Sequence, residues 1–143
     1  MYADYDFYTT VFYGTVISSA DFPRLSSRAS DFLDYFTRNK AASAMDEGVL
    51  VAIKKACCAI AEQMQTDETN KAIVTKTQAA ALSANSGEVK SESVGSWSAS
   101  YTVSSDYMNQ DAKEAQNAIN AAYASIAARY LTNTGLLYRG GCC

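Results

Sequence analysis

The chain has 143 residues and a mass of 15.4 kDa, which is enough for one domain with a real core and too little for two. Its 12 Lys and Arg residues against 15 Asp and Glu residues give a net charge of −3, which disfavours direct binding to nucleic-acid phosphates. The sequence contains no histidine, and this excludes the Ser-His and Cys-His schemes of nucleophilic catalysis.

Other classes of function are disfavoured by segments that the sequence lacks. It contains no run of about 18 apolar residues that would form a transmembrane helix. Its first residues, MYADYDFYTT, lack the basic and then apolar order of a signal peptide, so we expect a cytoplasmic chain without a membrane partner. Neither a Walker-type nor a G-x-G-x-x-G loop occurs. We interpret the scattered carboxylates as helix caps and solvated faces, and predict a non-enzymatic protein without cofactor or metal.

Residues 1–18 form an aromatic segment without the polar composition that is usual in loops. Tyrosine gives a large contact area at a modest cost in conformational entropy. We therefore predict an extended N-terminal arm that contacts another surface through five aromatic side chains, namely Tyr5, Phe7, Tyr8, Phe12 and Tyr13. Packing of the same side chains against the chain's own helices is the alternative, and the sequence leaves it open.

Residues 21–65 have the pattern of a helical hairpin. Asp21 can cap a first helix that runs to about Arg38, and Asp46 can cap a second. Apolar residues recur in both at the spacings of three and four that mark one helix face. These residues are Phe22, Leu25, Ala29, Phe32, Leu33 and Phe36 in the first helix, and Val49, Leu50, Ile53, Cys57, Ile60 and Met64 in the second.

Residues 66–88 are harder to assign, because they are rich in Thr, Ala, Asn and Lys and have only a weak apolar stripe at Ile73 and Val74. We predict a variable loop or frayed helix here. Since Ala and Lys are good helix formers and no Pro interrupts the segment, an extension of the second helix is the alternative.

Residues 89–103 predict a short β element. From Ser96 to Val103 polar and apolar side chains alternate strictly, which is the period of a strand. An isolated hairpin is marginally stable in water, so we expect a neighbour to complete this one. The predicted inter-subunit or tail-facing contacts are Val94, Trp97 and Tyr101.

Residues 106–131 predict a C-terminal helix that begins at an Asp106 cap, and its alanine-rich stripe permits close approach of a second helix. Residues 132–143 then form a tail, because Thr132 to Gly135 are typical of a helix end. Apolar residues after such an end need a surface, so they either fold back or dock into a partner. They are Leu136, Leu137 and Tyr138, followed by Arg139.

The four cysteines occur as two adjacent pairs, and neither pair has the C-x-x-C spacing of zinc sites. We expect Cys57 and Cys58 to be buried as small apolar residues within the second helix. Cys142 and Cys143 are expected on an exposed tail, where oxidation or acylation is a minor alternative to an incidental role.

Together these segments predict one mainly α domain over residues 1–143. Its expected architecture is a small bundle of three to four helices with a short β-hairpin or extended loop and with extended N- and C-terminal arms.

Three motifs, taken in their order and spacing, resemble the head-tail connector, or adaptor, proteins of tailed bacteriophages and Gram-positive prophages. They are YxxYDFYxxxFYG at residues 2–14, SESVGSWSASY at residues 91–101 and YLTNTGLLYRG at residues 130–140. The resemblance implies a structural virion protein of the neck, between capsid and tail, that is assembled in the cytoplasm of the bacterial host.

The same resemblance implies a ring of about twelve copies beneath the portal protein, closed by a head-to-tail contact between subunits. Such a ring extends the DNA channel and offers a platform to a stopper or tail-completion protein. DNA would pass through without sequence-specific binding, and the acidic chain suits a conduit because it repels the DNA backbone. We expect the portal to be engaged by Leu136, Leu137, Tyr138 and Arg139.

A second hypothesis is a small cytoplasmic helical module that binds or regulates another protein and has no virion role. It explains the helices and the lack of catalytic motifs. It does not explain why an aromatic N-terminal segment and an apolar tail occur together. An enzyme that uses carboxylates or lysine is a weaker third hypothesis, since no motif supports it.

Overall fold

The computed structural model describes residues 1–85 and 105–138. Within these ranges it has no strand and contains four α-helices: α1 Tyr5–Thr10, α2 Phe22–Thr37, α3 Glu47–Asn85 and α4 Ser105–Leu131. Short 3₁₀ turns at Ala41–Ser43 and Thr132–Thr134 follow α2 and α4. The prediction of a small, mainly helical bundle is confirmed. The predicted β element at residues 89–103 lies outside the described residues, and so do Val94, Trp97, Tyr101 and Arg139.

Helix α2 has nearly the predicted bounds because both of its ends carry local signals. Asp21 occupies the N-cap and Pro23 lies in the first turn, where a missing amide hydrogen costs nothing. At the other end Arg38 has a left-handed backbone, with φ 55°, and its amide closes the helix against the carbonyls of Asp34 and Tyr35. The apolar stripe of α2 faces the core.

Helix α3 begins where the sequence predicted and ends about 20 residues later than the predicted hairpin. Asp46 Oδ2 accepts a hydrogen bond from the amide of Val49 at 3.0 Å, which is the expected N-cap. Neither Gly nor Pro occurs from Val49 to Asn85, so nothing breaks the helix. Residues 66–85 are therefore a continuation of α3, which was the alternative to a loop.

The N-terminal segment differs from the expected extended arm, because it contains the short helix α1. The carboxylate of Asp4 accepts a hydrogen bond from the amide of Phe7 at 2.8 Å and caps this helix. Tyr8 on α1 is fully buried. The segment thus folds back on its own bundle through at least this side chain.

The core lies where α1, α2 and the last part of α4 meet the first half of α3. From Lys71 on, the described side chains of α3 are exposed, as are those of α4 from residue 113 to residue 118. The two longest helices therefore reach beyond the core. None of the helices described combines the length and apolarity that crossing a membrane requires. The largest fully buried side chains are Tyr8, Phe22, Leu25, Leu33, Ile53, Ile60, Leu131, Cys57, Cys58 and Ser26.

Candidate protein-interaction surface

The tail returns to the end of α2 and forms one side of a groove there. Gly135 has φ 73°, a left-handed conformation that glycine adopts without strain, and it turns the chain back after α4. Leu136 and Leu137 are half-buried and pack against the core. The ammonium group of Lys40 donates a hydrogen bond to the carbonyl oxygen of Tyr138. We call this the tail groove, of about 420 Å³, and its lining is Phe36, Thr37, Arg38, Lys40, Leu136, Leu137 and Tyr138.

The other side of the tail groove is set by the turn after α2. Arg38 and Asn39 both have left-handed backbones, with φ 55° and 61°, and the Asn39 amide donates to the carbonyl of Asp34 at 2.8 Å. Thr37 is buried, and its hydroxyl donates to Leu33 O and accepts from the amide of Ala41. This turn directs the chain away from α2 while Arg38 stays exposed.

A second exposed area adjoins the tail groove and is centred on Tyr35. The side chain of Tyr35 is 82% exposed, although its neighbours Phe32 and Phe36 are half-buried and stacked with ring centroids 5.9 Å apart. We call this area the Tyr35 surface. It comprises Asp34, Tyr35, Phe36, Arg38 and Asn39, together with Ala121 and Ala124 of α4.

The electrostatics of this end of the bundle differ from those of the chain as a whole. Arg38 and Lys40 are the charged residues that line the tail groove, whereas the chain has a net charge of −3. Among the residues described, the guanidinium of Arg38 has no ion pair or hydrogen bond. The carboxylate of Asp34 beside it accepts a hydrogen bond from the Tyr2 hydroxyl. The end of α2 therefore presents exposed aromatic rings next to an unpaired positive charge.

The predicted tail contacts divide into two kinds. Leu136 and Leu137 are packed on the core, so they anchor the tail. Tyr138 is 67% exposed, so its ring is accessible to a partner. Arg139 lies outside the described residues, as do the β-element contacts Val94, Trp97 and Tyr101.

The predicted contacts of the N-terminal segment also divide. Tyr8 is buried, and its hydroxyl donates to Glu62 Oε1 at 2.8 Å and accepts from the amides of Val16 and Ile17. Burial raises the pKa of this hydroxyl. The prediction of an intermolecular contact is therefore wrong for Tyr8, because its ring and hydroxyl are occupied within the chain. Tyr5, Phe7 and Phe12 are half-buried against the core, and Tyr13 is exposed.

Three tyrosine–carboxylate hydrogen bonds connect the elements of the bundle, and sequence reasoning had assigned the carboxylates only to caps and solvated faces. The hydroxyls of Tyr2, Tyr8 and Tyr123 donate to Asp34, Glu62 and Asp67 respectively. Burial, followed by the bonded carboxylate, raises the pKa of Tyr2 and of Tyr123. Each hydrogen bond joins residues 32 or more positions apart, so no local pattern could have paired them.

The described residues offer little reactive chemistry. Cys57 and Cys58 are fully buried, as predicted, and burial raises the pKa of the Cys58 thiol to about 12. A thiol that stays protonated at neutral pH is a poor nucleophile. No group of three His, Cys, Asp or Glu side chains in the described part of the chain could hold a metal ion.

Comparisons with protein-family models, with curated proteins and with solved structures found no match. The geometry itself defines the chain as a small α-helical bundle with an exposed aromatic and basic surface at one end.

Proposed function

We propose that this chain is a structural protein of the bacteriophage virion, a head-tail connector that forms a ring beneath the portal protein. The observation that carries the proposal is the placement of Tyr138. Its ring is 67% exposed at the rim of the tail groove, beside Arg38. Exposed aromatic and arginine side chains next to a half-buried apolar floor are typical of protein–protein contacts.

In this proposal the tail residues Leu136 to Tyr138 are folded against the bundle before they dock, and we call this segment the hook. Leu136 and Leu137 fasten it to the bundle, and Lys40 holds the carbonyl of Tyr138. Because Leu136 to Tyr138 are already packed against the bundle, docking on the portal costs less conformational entropy than ordering a free tail would. The portal contact is thus assigned mainly to Tyr138 and Arg139, with Leu136 and Leu137 as their support.

Repetition makes weak contacts sufficient. A ring of about twelve copies presents about twelve hooks to the portal at once, so the first contacts raise the effective concentration of the remaining ones. The face opposite the portal is then available to a stopper or tail-completion protein. The net charge of −3 per copy favours a lumen through which DNA slides without specific binding.

The experiment is a binding assay between this chain and the portal protein from the same genome. Tyr138→Ala should weaken co-sedimentation of the chain with portal rings at least about tenfold, since an interface tyrosine commonly contributes 2 kcal/mol or more. Ile73→Ala is the matched control, because Ile73 is an exposed apolar residue on the part of α3 beyond the core. It should bind like the wild type.

The alternative is a cytoplasmic binding module without a virion role. Such a module would also use an exposed surface at the end of α2, but its target would be a protein other than the portal. If the wild-type chain never binds the portal and is absent from purified virions, while it retains another protein partner, the connector proposal is wrong and this alternative replaces it.

A further inference from the structure

We propose that neighbouring copies of this chain join through the Tyr35 surface of one copy and the surface formed by residues 4–16 of the next. This inference rests on the proposed ring and names the contact that closes it. We assign Phe36 and Arg38, which line both the tail groove and the Tyr35 surface, to the neighbouring copy, and the tail side of the groove, with Tyr138, to the portal.

The two surfaces lie at opposite ends of α2. The rings of Tyr5 and Tyr8 contact Phe22, the first residue of α2, with centroids 5.6 and 4.8 Å apart. Tyr35 and Phe36 lie at the last turn of the same helix. Fourteen residues separate Phe22 from Phe36, which corresponds to roughly 21 Å along an α-helix. A head-to-tail contact that repeats from copy to copy requires two different patches on each copy, and these two ends provide them.

Each surface exposes apolar and aromatic side chains that the bundle leaves uncovered. In residues 4–16 the ring of Tyr13 is 79% exposed, and Val11 and Val16 are exposed beside it in the sequence. At the other end Tyr35 is 82% exposed. Burial of these side chains against each other would remove several large apolar groups from water, which favours association.

The unpaired charges of the two surfaces are complementary, since Asp34, which also lines the Tyr35 surface, is hydrogen-bonded to Tyr2. The carboxylate of Asp6 is exposed and, among the residues described, has no hydrogen-bond partner or ion pair. The same holds for the guanidinium of Arg38 at the opposite end. The ammonium of Lys54 in α3 lies 5.3 Å from the centroid of the Phe7 ring. Asp6 can therefore pair with Arg38 of a second copy.

Charge complementarity also indicates which partner binds these surfaces. A two-fold dimer through the Tyr35 surface would bring Arg38 near Arg38, since Asp34 on that surface is already bonded to Tyr2, and one through residues 4–16 would bring Asp6 near Asp6. Like charges at an interface are unfavourable. The contact between unlike surfaces avoids both clashes, and every copy carries one surface of each kind, so a second copy of the chain is the partner that fits.

The test is a charge exchange between the two surfaces, read by sedimentation velocity and mass photometry over a range of chain concentrations. Arg38→Glu alone and Asp6→Lys alone should each reduce the association constant at least about tenfold. Both changes in one chain should restore assembly. A mixture of the two single variants should also assemble, with the two variants alternating, because two of its four possible contacts, those between unlike variants, join opposite charges.

Circular dichroism of each variant controls for folding. Because both side chains are exposed, their substitution should leave the helix content unchanged. The inference is overturned if the single variants assemble like the wild type, or if the double variant folds but does not assemble. In that case the ring itself stands and uses other surfaces. A wild-type chain that forms no ring either alone or on the portal contradicts the proposed function instead.

Discussion

The hydroxyl of Tyr8 donates a hydrogen bond of 2.8 Å to Glu62 Oε1 and thereby joins α1 to the middle of α3. The same oxygen accepts the amides of Val16 and Ile17, so one buried hydroxyl fixes both the short helix and the chain that follows it. The N-terminal segment is consequently part of the bundle. In the proposed assembly it contributes the side chains that it leaves exposed, chiefly Tyr13.

Removal of the Tyr8 hydroxyl should destabilise the fold. Tyr8→Phe leaves the carboxylate of Glu62 and two amides without their partner, and a buried group left unsatisfied costs about 1–3 kcal/mol. The free energy of unfolding from urea denaturation measures this loss. Tyr13→Phe removes the hydroxyl of an exposed ring and should change stability by less than about 0.5 kcal/mol. Equal effects of the two changes would contradict the role given to Tyr8.

Gly14 should tolerate no side chain. A Cβ at this position would lie 2.0 Å from a ring carbon of Tyr8, and that ring is buried with no room to move. We expect Gly14→Ala to cost about 1–3 kcal/mol, as overpacking does elsewhere. Thr15→Ala, at the exposed next position, is the control. A Gly14→Ala protein with the wild-type melting temperature would show that Gly14 does not pack on Tyr8.

Stability should fall at alkaline pH. The pKa values of Tyr2, Tyr8 and Tyr123 are raised, first of all by burial, and that of Cys58 is raised to about 12. The folded chain thus holds protons that the unfolded chain releases. This contribution is complete below the unfolded pKa values, about 8.5 for Cys and 10 for Tyr, and is lost progressively as pH rises above them.

The free energy of unfolding, measured from about pH 8 to about pH 11, follows this loss. Tyr123→Phe removes one of the protons involved and should give a shallower decline than the wild type. Tyr35→Phe, which removes an exposed hydroxyl, is the control and should retain the wild-type slope. A stability that is constant across this range would be incompatible with protonated, buried tyrosines.

Substitutions of two neighbouring tail residues should have different effects on the stability of the fold. Leu137 is half-buried against the core, so Leu137→Ala should lower the free energy of unfolding by about 1–2 kcal/mol, less than a fully buried leucine would. Tyr138→Ala should change it by less than about 0.5 kcal/mol, because most of that ring is in solvent. Thermal denaturation of both variants measures the difference. Equal losses of stability would mean that Tyr138 belongs to the core.

The sequence predicted α2, the start of α3 and, to within one residue, the bounds of α4, because their signals are local. Since α4 begins at Ser105, Asp106 lies inside the helix and is not its cap. Asp21 and Asp46 precede apolar residues at helical spacing. Asp46 caps α3 with its carboxylate, whereas Asp21 occupies the N-cap position of α2 without a side-chain hydrogen bond to the helix. The buried Cys57 and Cys58 followed from the same periodicity. Local signals of this kind depend only on neighbours within one or two turns.

What the sequence did not predict depends on how helices meet. Tyr8 and Glu62 are 54 residues apart, so their hydrogen bond exists only because α1 packs on α3. The helix α1 itself was hidden among six aromatic residues, although Asp4 in front of it was an available cap. Tyr35 and Arg38 escaped notice because a helix pattern shows which face is apolar, but not which residues beside that face stay uncovered.

Electron cryo-microscopy of the chain bound to the portal protein from the same genome would show the proposed assembly itself. We expect a closed ring of about twelve copies on the portal, with Tyr138 at the portal contact and Tyr35 against residues 4–16 of the next copy. Intact portals that carry no density for this chain at saturating concentration would contradict this expectation.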